Sequence, residues 1–422
     1  MVDIPIASVA DPASMGNPGP HWQCRYWSIF GGQASSMIGS ALTQFVLLWW
    51  ITDTTGSVSA LALAGMFALL PQALLGPIGG TFADRYNRRI IMITADAISA
   101  MCMMVLIALF VTNSIELWHI YTMMFIRSSM QAFQQPAAAA STAMLVPESF
   151  ISRAAGLNQT LSGIMLVAAA PLGALAISVM PIGYALMIDI VTAAFGIMPL
   201  LIYRIPQVRI AVADRLGVWK ELREGVSTVW HNGGLRRLYG LLFVTIIAIM
   251  PAFTLIPLLV KEYFGGAAPQ VALMEGLSGA GMIAAGIIVA AIAPKRKILW
   301  VLWGFAISCF SVAFTALVPG NWIGLAAAFW CLSSVFYILG NGPLIAILQT
   351  TVPNQLQGRV LSLLNTMVGL GAPIGLALAT PLGEMIGIQM LFIVMGAAGG
   401  LITLIGFASR PLLQIERNMV KA

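Results

Sequence analysis

Charge is what this sequence has least of. Only 9% of its 422 residues are Asp, Glu, Lys or Arg, where soluble domains carry roughly 25%. A soluble protein of this length cannot clothe its surface with so few charges, which excludes a soluble enzyme. A hydrophobic fraction of 59% excludes a disordered chain. Cysteine is also scarce: Cys24, Cys102, Cys309 and Cys331 form neither a disulfide framework nor a metal-ligand spacing. The three histidines, His21, His119 and His231, make no ligand pair, so no metal or other cofactor is expected. There is no GxxxxGKS or GxxxxGKT run to cradle ATP, no nucleophile elbow and no catalytic triad. Nothing resembles a nucleic-acid module. These absences leave a membrane protein that is not an enzyme and uses no nucleotide motor.

Long apolar runs are what the sequence does have. They exceed what a membrane strand needs and do not alternate, which excludes a barrel. Spans are expected near 27–51, 58–82, 90–111, 117–144, 154–178, 183–203, 238–260, 271–293, 298–318, 322–351, 360–382 and 387–408. The expectation is therefore an all-α polytopic protein with twelve transmembrane helices. Residues 1–25 read as a flexible N-terminal tail rather than a signal peptide, 26–204 as a first six-helix bundle and 205–237 as a cytoplasmic linker. Residues 238–409 read as a second bundle and 410–422 as a C-terminal tail. With both termini in the cytoplasm, nineteen of the 21 Lys and Arg fall on that side, as the positive-inside rule requires. Lys261 falls outside and Arg127 inside a span. Within the linker, Trp219, Leu222, Val226, Val229 and Trp230 share a helical face, which suits a helix on the inner leaflet or one packed against the bundle. Trp49, Trp50, Trp118 and Trp322 read as interface belts.

The halves echo one another. VPESFISRAAGLNQTLSG at 146–163 parallels VPNQLQGRVLSLLNTMVG at 352–369, and APLGA at 170–174 parallels APIGL at 372–376. Two equally oriented halves imply parallel repeats about an axis along the membrane normal, which bracket a central cavity. Pro171 and Pro373 are expected to bend their helices, and Gly173 and Gly375 to permit close helix approach.

The segment GGTFADRYNRRIIMITAD at 79–96 resembles the loop-2/3 signature of the major facilitator superfamily, with Asp84, Arg85, Arg88, Arg89 and a closing acid, Asp96. Asn87 stands where that family usually has Gly, and Asn still tolerates a left-handed turn. The second half keeps only APKRKI at 293–298. TQFVLLWWITDTTGS, LLPQALLGPIGG, MIDIVTAAFG and LMEGLSGAGMIAAG resemble the drug and macrolide efflux branch, which also holds siderophore exporters. The resemblance covers about residues 25–410. It implies a major facilitator fold and a transporter that acts as a monomer in a prokaryotic inner membrane. It also implies export of an amphipathic small-molecule cargo, among membrane lipids, in exchange for protons. A siderophore or lipid-like cargo, a metabolite facilitator or importer, and a scramblase are the alternatives.

The polar residues inside the spans are few enough to name. Asp84, Arg85, Arg88, Arg89 and Asp96 form either a cytoplasmic gate or a lipid-facing anchor. Arg127 shares a helical face with Gln131 and Gln134; it either faces a cavity or snorkels outward. Burial among apolar groups penalises an ionised carboxylate, so Asp189 and Glu275 are the candidates for a proton or cargo site, or else interfacial acids. Gln33, Ser36, Ser40 and Gln44 make a polar stripe that lines a cavity or a helix contact. Asn158, Asn341 and Asn365 are further cavity candidates.

Overall fold

The computed structural model describes residues 21–205, 218–292, 294, 296–352 and 354–415. The described secondary structure is helical. The first half holds α1 (Trp22–Thr55), α2 (Val58–Arg85), α3 (Arg88–Val111), α4 (Leu117–Leu145), α5 (Glu148–Val179) and α6 (Ile182–Ile202). A shorter helix, α7 (Val218–His231), follows, then α8 (Gly233–Glu262), α9 (Ala268–Ile292), α10 (Lys297–Leu317) and α11 (Ile323–Thr351). α12 (Asn354–Ile405) and the four-residue α13 (Arg410–Leu413) are the last described α-helices. α1 begins inside the stretch read as tail, and the rest of that tail, most of the linker's first half and residues 416–422 lie outside the described residues.

Local chemistry sets the helix ends. Gly56 closes α1 with φ +56°, a left-handed cap that suits glycine. Ser57 caps α2 by accepting from the Ala60 amide, and Asn232 caps α8 by accepting from the Gly234 and Leu235 amides. Asn87 caps α3 in the same way: its side chain accepts from the Arg89 and Ile90 amides at φ −66°. Its role is thus a helix start rather than the left-handed turn that glycine would supply.

Among the described residues nine helices are long and apolar enough to cross a membrane, or ten with α5, which bends by 42° between Glu148–Met165 and Val167–Val179. Pro171 lies inside α5 four residues after Val167, where a proline has no N–H to offer the Val167 carbonyl and its ring crowds it. α12 counts once in that number, although Gly387 (φ +81°, ψ +161°) breaks its backbone into 354–386 and 388–405. α4 falls outside it: Arg127, Gln131, Gln134 and Gln135 lower its hydropathy.

Within the first half, α1 packs on α6 and α2 on α4. Two glycines make these approaches possible. A Cβ on Gly39 would collide with Thr192 of α6, and one on Gly79 with the Ala132 carbonyl of α4. Gly173 sits against Phe45, and Gly375 against Ile247 and Pro251, as close packing beside the two prolines demands. Between the halves, α2 runs along α12 and α5 along α9. The repeated Val-Pro pair precedes the start of both α5 and α12, and Val146 and Val352 are each 4% exposed. Val229 of α7 packs into the core of the second half, while Val226 and Trp230 stay exposed and the Arg236 guanidinium lies 5.5 Å over the Trp230 ring. Trp118 and Trp322 stand on the surface as an interface belt requires. Trp49 does not: it is buried in the largest core cluster, because its side of α1 faces the bundle.

At the end away from the arginine-rich loops the halves are tied by polar contacts. Lys261 of α8 lies 3.3 Å from Asp53 and donates to the Thr52 and Asp53 carbonyls at 3.2 and 2.5 Å. The Ser59 hydroxyl of α2 donates to Glu384 of α12. Cysteines replacing Ser59 and Glu384 together should cross-link under mild oxidation, seen as a mobility shift that a reducing agent reverses. Failure of the pair to cross-link would show that this end does not close as described.

Candidate functional site

Three buried charges of the first half, Asp96, Arg127 and Asp189, converge on one hollow of about 350 Å³, a volume within the ordinary range of ligand sites. Arg127, Gln131 and Gln134 are spaced four and three residues apart along α4, so they point to the same side, and all three line it. Ser36, Ser40 and Gln44 contribute from α1, Asp96 from α3 and Asp189 from α6.

Arg127 is 7% exposed and Asp189 2%. The Arg127 Nη2 to Asp189 Oδ2 distance is 3.0 Å, and the Ser40 hydroxyl donates to Asp189 Oδ1, also at 3.0 Å. Both carboxylate oxygens are therefore engaged by donors. The pair cancels its own charge, and Arg127 does not snorkel.

Asp96 sits two turns deeper in α3 than the arginine cluster and is 8% exposed. Gln33 Nε2 donates to its Oδ2 at 3.2 Å, and Gln134 Nε2 donates to its Oδ1 at 3.3 Å. Gln134 Nε2 also donates to Gln33 Oε1 at 2.7 Å. The three side chains thus close a ring. Among the described residues no cation pairs with Asp96. Its place is the hollow, not the loop with Asp84.

That loop is organised differently. Arg88 is buried and donates to the Ala83 and Ala140 carbonyls at 3.0 and 3.1 Å, with Asp84 3.6 Å away. Arg89 donates to the Leu200 carbonyl and, at 2.7 Å, to that of Leu201. Arg89 thereby satisfies open carbonyls in the last turn of α6, and Arg88 one at the end of α2 together with the Ala140 carbonyl inside α4. Arg85 is exposed.

A second hollow of about 410 Å³ adjoins the first, sharing Met37, Ala41, Gln44 and Met165, and opens between the halves. Phe45 and Leu48 face Phe253 and Pro257 across it, and Glu275 of α9 lines it. Among the described residues Glu275 has no hydrogen-bond or ion-pair partner. Asn158, Asn341 and Asn365 line neither hollow. Gln72 and Gln135 line the first and bond each other at 2.8 Å. Sequence reasoning passed over both, although a glutamine directly after Pro71 in an apolar run is a visible signal.

Replacing Asp189 with Asn should destabilise the protein by about 3–5 kcal/mol, because it strands a buried guanidinium. The paired change R127M/D189L should cost far less than either single change. Unfolding midpoints in detergent measure this, and additive losses would show that the two side chains do not act as a pair.

The comparisons agree with this architecture. The sequence model of the Major Facilitator Superfamily matches residues 29–376 and 241–418. Macrolide efflux protein A of Streptococcus pyogenes is 30% identical over 382 residues, 89% of this chain and 93% of that protein. Its namesake in Enterococcus faecalis is 30% identical over 327 residues, 76% of this chain and all of that one. A solved transporter of the POT family, bound to a thioalcohol-conjugated peptide, superposes with TM-score 0.70 at 10% identity, covering 92% of this chain and 96% of its own. At that identity the likeness speaks for the fold alone. The chain belongs to the Major Facilitator Superfamily and is related to its macrolide-efflux-protein-A branch.

Proposed function

We propose that this protein is a proton-coupled antiporter that exports amphipathic small organic molecules by alternating access. Its first six helices and its last six form parallel repeats. The count of twelve spans includes α4, whose polar side chains face the hollow rather than lipid, and takes α12 as two spans meeting at Gly387. The termini lie in the cytoplasm of a prokaryotic cell, and one copy of the chain is the working unit.

The observation that carries this reading is Glu275. A carboxylate with no partner among the described residues borders an otherwise largely apolar hollow at the junction of the halves. Apolar walls with one convergent charge suit an amphipathic ligand. Across both hollows the charged side chains are Asp96, Asp189 and Glu275 against Arg127. That balance favours a cargo bearing a basic amine over an acidic metabolite, and Phe45 and Phe253 offer ring faces to such a cation. The relatives' name, macrolide efflux protein, supports the same class. Arg127 and Asp189 hold the polar hollow in shape, while Ser36, Ser40, Gln44 and Gln131 supply its hydrogen bonds. The cluster of Asp84, Arg85, Arg88 and Arg89 acts as the cytoplasmic gate, and the contacts of Lys261 and Ser59 close the opposite end.

Purified protein in liposomes under an imposed pH gradient tests this. Erythromycin, as a basic macrolide probe, should accumulate against its gradient. A panel of siderophores, neutral dyes and metabolites should respond less. Glu275→Gln should weaken erythromycin binding about tenfold, equivalent to about 1.4 kcal/mol. Flux that ignores the pH gradient for every probe would sink the antiport reading. Undiminished erythromycin binding in E275Q would remove Glu275 from the site.

A further inference from the structure

We propose that Asp96 is the group that takes up and releases the coupling proton, with Gln33 and Gln134 converting its charge state into a change of helix packing. This rests on the antiport reading above and goes beyond it by naming the carrier.

Three carboxylates border the two hollows, and the geometry separates them. Asp189 is committed: Arg127 and Ser40 engage its two oxygens at 3.0 Å each. Adding a proton there would strand the guanidinium. Glu275 stands on the far half, against Phe253 and Thr254, where cargo would sit. Asp96 is different from both. It is 8% exposed, it borders the polar hollow, and its hydrogen-bond partners are two neutral amides. Its negative charge is solvated by those amides but cancelled by no cation among the described residues. Proton binding therefore removes a net charge from the hollow, which it would not do at a paired carboxylate.

The ring of side chains supplies the coupling. An ionised carboxylate only accepts hydrogen bonds, whereas the protonated acid must also donate one. Asp96 now receives N–H bonds from α1 through Gln33 and from α4 through Gln134. When a proton from the outer solution bonds to one carboxylate oxygen, the amide donating there must withdraw or turn its carbonyl oxygen toward the new O–H. Turning Gln134 also breaks its 2.7 Å bond to Gln33. Gln33 in turn donates to the Gly196 carbonyl of α6 at 3.3 Å. One proton thus alters contacts among α1, α3, α4 and α6. Release reverses the step: the O–H bond breaks, the proton passes to water on the inner side and the ring re-forms. The charged groups facing Asp96 from the packed helices are Asp189 on α6 and Arg127 on α4, already joined to each other. α1 presents Gln33, Ser36 and Ser40, and α2 presents Gln72, none of which titrates there.

The test uses the full chain in liposomes with erythromycin as probe. Wild type should accumulate it in response to a pH gradient. Asp96→Asn should lose at least about tenfold of that accumulation, and its remaining downhill exchange should no longer vary with pH. Gradient-driven accumulation in D96N equal to wild type would overturn the proposal. A wild type that ignores the gradient would overturn it by a different route, through the antiport reading. Should D96N fail to fold, Gln134→Met keeps Asp96 and removes one donor to its ionised form. The pH of half-maximal exchange should then move upward by about one unit, and an unmoved profile would count against Asp96. Infrared difference spectra offer a cargo-free check: acidification should produce a protonated-carboxyl signal in wild type that Q134M displaces along the pH axis. Its absence in wild type would overturn the assignment.

Discussion

The structure of the first half turns on one buried ion pair. A guanidinium inside a membrane helix is tolerated only where a counter-charge and further hydrogen bonds meet it. Asp189 of α6 meets Arg127 of α4, and Ser40 of α1 completes the shell of the carboxylate. Three helices distant in sequence are therefore held in one register. Their polar faces must turn inward, which is why a hollow lined by serines and glutamines opens there. The pair also cancels its own charge, so the remaining carboxylates, not Arg127, set the sign of the site.

The two halves divide the chemistry. The first contributes amides, hydroxyls and the ion pair; the second contributes Phe253, Thr254, Pro257 and Glu275. An amphipathic molecule between them would meet a polar wall and an apolar one. The loop arginines play a different part. Arg88 bonds backbone carbonyls of α2 and α4, and Arg89 those at the end of α6, so they brace the bundle from which any gating contact of Asp84 would act.

Much of the fold was legible because hydropathy is local. The apolar runs foretold α4 and α11 nearly to the residue, Leu117–Leu145 and Ile323–Thr351. Pro171 foretold the bend in α5. Local patterns also misled where facing mattered. Trp49 reads as an interface residue by its position near a span end, yet its side of α1 faces the core. Asn87 reads as a substitute for glycine, yet its amide oxygen makes it a helix cap. Asp96 reads as the closing acid of a loop motif, yet two turns of α3 carry it into the hollow.

By itself the sequence determined that this is a membrane protein of long apolar helices, with its cations gathered in loops and a short roll of polar side chains inside. Those follow from composition and from hydrophobic runs, which need no knowledge of neighbours. Which carboxylate takes the Arg127 guanidinium was decided by tertiary structure alone. Arg127 and Asp189 lie on different helices, and Ser40 reaches Asp189 across 149 positions of sequence. Helix packing joins those three, leaves Asp96 to the amides and, among the described residues, leaves Glu275 with no partner. A charge on a helix carries no mark of what it faces, and in a low-dielectric interior what it faces governs its chemistry.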